Sequence, residues 1–156
     1  MRLAILSLIA PVLFASCSVF GPPHQAAGLP VETIRIATAN GPQAFTVEVA
    51  ADAASQERGL MFRRDMARDA GMLFDFHQEA RVSFWMKNTP LPLDMLFIRA
   101  DGTVSSVQAN AVPYSTDFIY SAEPVRAVLE INAGQAQALG IKRGDRVQAA
   151  IFHDLR

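Results

Sequence analysis

Short alternating apolar segments, each closed by Gly, Pro, Asn or Asp, recur along most of this chain. That rhythm admits few folds. In "ETIRIAT" (32–38) and "AFTVEVA" (44–50) apolar residues alternate, as in strands with one buried face. A reversal at Asn40-Gly41 sets Ile36 opposite Phe45 and Ile34 opposite Val47, all on one face. Pro42 lacks an N–H, which predicts a loop wider than two residues. "GMLFDF" (71–76), "ARVSFWMK" (80–87) and "VRAVLEI" (125–131) read as further strands. "LDMLFIRA" (93–100) and "VSSVQAN" (104–110) flank Asp101-Gly102, a hairpin signal. "RGDRVQAAIF" (143–152) reads as a turn and a last strand.

Two helices interrupt this pattern. Asp52 can cap one running through Arg63-Arg64, with Gly59 as a weak point inside it. "NAGQAQALG" (132–140) is a second, with Asn132 as cap, Gln135 at the capping-box position and Gly140 as terminator. The expected fold is mainly β (α+β): a compact rolled or barrel-like sheet with about two short helices.

The chain has 156 residues, half of them hydrophobic, enough for one domain with a core that needs no disulfide. Its formal net charge is −1 and no basic stripe stands out, which argues against a nucleic-acid partner. Residues 1–17 read as a signal peptide: Arg2, then an apolar run from Leu3 to Ala15 too short to span a bilayer comfortably. Cys17, the sole cysteine, follows Phe14-Ala15-Ser16 and resembles the acylated cysteine of a bacterial lipobox, although Phe14 replaces the usual leucine. The other reading is a cleavable signal with an incidental cysteine. A lone thiol in an oxidising compartment lacks a partner, which favours lipidation. The expected location is the periplasm, with an outer-membrane tether through Cys17, since Ser18 is not the aspartate that often retains lipoproteins at the inner membrane. Residues 18–30, rich in Pro, Gly and Ala, read as a flexible tether, and 31–156 as the domain.

The chemistry concentrates in "FWMKNTPLPLDMLFI" (84–98). Strand alternation puts Val82, Phe84 and Met86 on a core face, and Arg81, Ser83, Trp85 and Lys87 on the other. Trp85, the only tryptophan, can stack on a sugar or base, hold a cation, or pack under a helix. Asn88 can bond its own backbone, and Thr89 and Leu91 are held extended by the prolines after them. Asp94 and Glu130 each stand inside an apolar strand and must find partners or raise their pKa. They could act as acid and base, or satisfy Arg58, Arg63, Arg64 or backbone amides; the structural role is the commoner one. His24 lies in the tether and His77 and His153 lack ligand-spaced partners, so neither a metal nor another cofactor is expected.

"GLMFR" (59–63), "GMLF" (71–74), the 84–98 segment, Asp101-Gly102, "VLEINAG" (128–134) and "GDRV" (144–147) together resemble the bacterial and archaeal family called domain of unknown function 192. Order and spacing agree from about Phe45 onward. The resemblance implies a compact, mainly β domain, often exported in bacteria, and implies little about activity. Its pattern marks Arg63, Trp85, Lys87, Asn88, Thr89, Asp94 and Glu130.

Three functions follow as expectations. The first is an envelope domain binding a glycan or anionic small molecule through Arg63, Arg81, Trp85, Lys87, Asn88 and Thr89. The second is a periplasmic hydrolase or lyase using Asp94 or Glu130 as general acid or base. The third is an envelope assembly partner with Trp85 at its interface.

Overall fold

The computed structural model describes residues 28–152. The expected signal segment, Cys17 and most of the tether lie outside the described residues. The tether's last residues are docked rather than free: Val49 N–H donates to the Pro30 carbonyl at 2.8 Å, and Leu29 packs on the core.

Seven strands form one sheet and two more form a small ribbon. In chain order they are β1 (Val31–Thr38), β2 (Gly41–Ala50), α1 (Ala53–Arg58), β3 (Ala70–Ala80), β4 (Ser83–Phe84), β5 (Leu93–Ile98), β6 (Val104–Ala111), β7 (Ile119–Tyr120), β8 (Val125–Asn132), α2 (Gln135–Leu139) and β9 (Arg146–Gln148), followed by a 3-10 turn over Ala150–Phe152. The large sheet runs β6-β5-β8-β3-β2-β1-β9, and β4 pairs with β7 apart from it. Only β2 and β3 pair in parallel, joined through α1.

The sheet curls until its ends approach. Thr103 bridges Arg146, Val104 N–H donates to the Asp145 carbonyl, and Val147 N–H donates to the Gly102 carbonyl at 2.8 Å. Gly102 makes this closure possible: its φ is +82°, and a Cβ there would stand 2.6 Å from the Val147 carbonyl oxygen. The curled sheet encloses one apolar cluster and carries a second on its outer face. The inner cluster includes Ile34, Ile36, Phe45, Val47, Leu96, Ile98 and Leu129. The outer one includes Met72, Phe74, Met86, Leu93, Met95, Phe97 and Val128, roofed by Leu60. Burying large aliphatic and aromatic side chains at roughly 2 kcal/mol each makes these two layers the main favourable term for folding.

The mainly β, rolled architecture is as the alternation implies, but several local expectations shift. Ile34 pairs with Phe45, and Val47 with Glu32, so the first hairpin is displaced by two residues. A shift of two keeps every side chain on its face, so burial could not reveal it. The turn is tight, with Thr38 facing Gly41, and Gly41 takes φ +97° ahead of Pro42. Helix α1 stops at Arg58. Asp52 caps it in a reciprocal capping box with Ser55, and Gly59 ends it. The N-cap of α2 is Gly134, not Asn132, whose amide instead donates to the Met66 and Ala67 carbonyls. Gln135 donates to the Arg68 carbonyl, and Gly140 terminates the helix as expected.

Candidate functional site

A cleft of about 360 Å³ lies between α1 and the outer face of the sheet. One wall is apolar: Leu60 and Met61 follow α1, Phe74 and Phe76 come from β3, Val82 precedes β4 and Phe84 lies in it; Gln56, Glu57, Arg58, Ser83 and Thr89 add polar groups. Phe84 is held edge-on to Phe74 (5.0 Å, 90°), Phe76 and Phe97, which fixes that wall. The volume falls in the range of small-molecule sites.

Glu130 lines this cleft and is only 4% exposed. Strand β8 alternates Val128 and Glu130 onto the outer face, and Met95 of β5 stands opposite Glu130. On its other side Gly71 lets β3 approach closely, since a Cβ there would meet the Glu130 carbonyl oxygen at 2.6 Å. Among the described residues no hydrogen bond or ion pair reaches the Glu130 carboxyl. Burial alone pushes its pKa up to about 8, so at neutral pH it is mostly a protonated acid that can donate one hydrogen bond.

Trp85 stands at the rim, 38% exposed. It stacks on Phe118 (5.7 Å, 9° between planes), and Phe118 leans on Tyr120 (5.9 Å). The Lys87 Nζ lies 4.9 Å from the Trp85 ring centroid, a cation–π contact. Beyond the rim a second groove of about 390 Å³ runs past Arg58, Lys87 and Asn88, and shares Glu57, Arg58, Met61 and Trp85 with the cleft. The corner between them is tightly folded. Asn88 adopts φ +57°, which asparagine tolerates, and its carbonyl accepts from Phe62 N–H at 2.7 Å. Its amide makes only a 3.9 Å contact with the Met61 sulfur. Thr89 lines the cleft, and its hydroxyl donates to the Lys87 carbonyl at 3.2 Å.

The structure thus brings Trp85, Lys87, Asn88, Thr89 and Glu130 to one region. The facing of Arg81, Ser83, Trp85 and Lys87 away from the buried Met86 holds, although only Ser83 and Phe84 form ladder pairs. Three expected residues lie elsewhere. Arg63 makes a two-pronged bond to Glu48 at 2.6 and 2.8 Å. Arg81 donates to the Ala122 carbonyl at 3.0 Å, in a depression with Tyr120 and Ser121 that shares Val82 and Ser83 with the cleft. Asp94 is fully buried on the inner face, where its two oxygens accept from the N–H groups of Asn110 and Ala136, each at 2.8 Å. Asp94 and Glu130 therefore do not form a pair, and Arg58, Arg63 and Arg64 bond neither.

Sequence reasoning overlooked the aromatic wall, the aromatics Phe118 and Tyr120 at and just before β7, and Glu57. Exposed aromatics at 54% and 69% carry no periodic signal, because a two-residue strand is too short to show alternation.

These features define a curled-sheet domain with an apolar, acid-lined cleft on its outer face. The chain belongs to the family described as "Uncharacterized ACR", domain of unknown function 192, which matches residues 35–149. Solved structures agree. A "putative transcription regulator" from Sinorhizobium meliloti is 51% identical, with TM-score 0.78, over 80% of this chain and 98% of that one. A protein of unknown function from Novosphingobium aromaticivorans is 40% identical, with TM-score 0.77, over 81% of this chain and 90% of that one. No curated protein matches.

Proposed function

We propose that this domain binds a small molecule, a glycan or an anion, in the cleft between α1 and the sheet. One observation carries the reading: a largely buried carboxyl, with no hydrogen-bond partner among the described residues, shares a ligand-sized cleft with a partly exposed tryptophan. Leaving Glu130 without a partner costs stability. A ligand that accepts its proton in a hydrogen bond would recover part of that cost, and Trp85 offers an apolar ring surface at the rim. Titration of Trp85 fluorescence tests this: saturable change with a glycan or anion supports the reading, and no response to either class sinks it.

Glu130 also favours a second reading, an enzyme of the hydrolase or lyase kind. A carboxyl protonated at neutral pH is the form a general acid needs. Glu130→Gln separates the two: binding survives in weakened form, whereas turnover would vanish with the fold intact.

The description of the Sinorhizobium relative raises a role in transcription regulation for this chain, and a direct one would need a nucleic-acid surface. Against it, Arg63, Arg99 and Arg126 are each spent on a carboxylate rather than set along a cationic track. We place the domain in the periplasm, tethered through lipidated Cys17. Metabolic labelling with an alkyne fatty acid should mark the chain, and Cys17→Ser should abolish the mark.

A further inference from the structure

We infer that the ligand is an amphiphilic anion, its apolar portion in the Phe-walled cleft and its anionic head in the adjoining groove between Arg58 and Lys87. The inference rests on the cleft being a ligand site and narrows what it takes.

The two hollows are complementary halves. The cleft's phenylalanine, leucine, valine and methionine side chains form an apolar wall that suits an alkyl or acyl chain, while Gln56, Glu57, Arg58, Ser83 and Thr89 also line it. The groove carries two cations, Arg58 and Lys87, against one carboxylate, Glu57. Among the described residues the ion pairs of Arg63, Arg99 and Arg126 fix those side chains on acids, and neither Arg58 nor Lys87 has such a partner. Lys87 rests on the Trp85 ring instead, so its ammonium retains all three donors. The Asn88 amide, whose only contact is with a sulfur, adds a neutral donor. Glu57, Arg58, Met61 and Trp85 line both hollows, so the two adjoin and a single molecule could occupy both. Glu130 does not repel such an anion, because its carboxyl is mostly neutral at pH 7 and can donate to an ester or carbonyl oxygen along the chain.

Alkyl phosphates and anionic phospholipids share this chemistry, and the test distinguishes them. The chain lacking residues 1–17 retains both apolar clusters, which are built from residues of the described domain. It is titrated with monomeric octyl phosphate, octanol, inorganic phosphate and maltotriose, and with phosphatidylglycerol vesicles, by calorimetry and Trp85 emission. Octyl phosphate should bind at least ten-fold tighter than octanol or phosphate alone. The Arg58→Gln, Lys87→Gln double variant should erase that preference, bringing octyl phosphate to the affinity that the same variant shows for octanol. Saturation by vesicles with no response to octyl phosphate supports the same chemistry and identifies a bilayer lipid as its source. Equal affinity for octanol and octyl phosphate overturns the anionic half, and equal affinity for phosphate and octyl phosphate overturns the apolar half. Binding of maltotriose alone overturns the inference but leaves the ligand site standing. Silence from the whole panel removes both.

Discussion

Asp94 and Glu130 look alike in sequence and behave oppositely in the fold. Each is an acid set between apolar residues, on adjacent strands β5 and β8, one register step apart. Asp94 shares its face with Leu96 and Ile98, inside the curl, whereas Glu130 shares its face with Val128, outside it. Inside, Asp94 finds two backbone donors. Ala136 lies in the first turn of α2, whose N-cap is a glycine with no side chain to offer. Asn110 sits where β6 slips register against β5, with φ +53°. One carboxylate thus caps a helix from another strand and stitches a bulge. Outside, Glu130 faces the cleft and has no hydrogen-bond partner among the described residues. A carboxylate with its oxygens occupied is part of the scaffold; a carboxyl left with none is available to something else.

The sharpest way to break this contrast is Asp94→Ala. It strands two buried N–H groups and should cost about 3 kcal/mol or more of unfolding free energy, measured in urea. Asp94→Asn keeps an acceptor for one of the two N–H groups and should cost less. If Asp94→Ala unfolds at the wild-type urea concentration, the scaffold role is wrong.

Glu130→Gln should do the reverse. With a folded pKa of about 8 against 4.5, the unfolded chain releases its proton first as pH rises. Glu130 therefore contributes its full stability below about pH 4.5. That contribution is lost progressively toward pH 8 and stays lost above it. The glutamine variant cannot ionise, so relative to wild type it should gain stability from pH 5 to pH 8, by about 2 kcal/mol or more. Other carboxylates titrate equally in both proteins, so the difference curve isolates Glu130. A flat difference across that range would mean that the folded carboxyl ionises as readily as the unfolded one, through a partner or through water in the cleft.

Much of the scaffold was readable because it rests on local rules. The Asp52 cap, the Asp101-Gly102 turn and the Gly140 terminator each depend on a few neighbouring residues. Strand faces were readable because burial follows period two, even across Trp85 to Lys87, where ladder pairing is absent. What was hidden depends on which strand lies beside which. The order β5-β8-β3 decides that Glu130 faces a cleft and Asp94 a helix end, and no window of sequence contains that order. The aromatic wall was hidden likewise: Phe74, Phe76 and Phe84 come from two strands and meet only because the β4–β7 ribbon folds over the sheet. The family pattern marked Arg63, Asp94 and Glu130 alike, although Arg63 serves an ion pair, Asp94 a helix end, and Glu130 lines the cleft.

The smallest effects belong at the rim, and they sharpen the contrast from the other side. Lys87→Met removes the cation over the Trp85 ring but keeps a long stem to cover it. Contacts of this exposed kind contribute about 0.5–1 kcal/mol. The urea midpoint should therefore move little, while the emission of Trp85, the sole tryptophan, should shift as the charge over its ring disappears. Phe118→Ala should redden that emission further by uncovering the face on which Phe118 stacks. A rim built for stability would lose about 3 kcal/mol in such variants, as Asp94→Ala is expected to. A rim that changes its spectrum while keeping its stability leaves its exposed residues free to serve whatever enters the cleft beside Glu130.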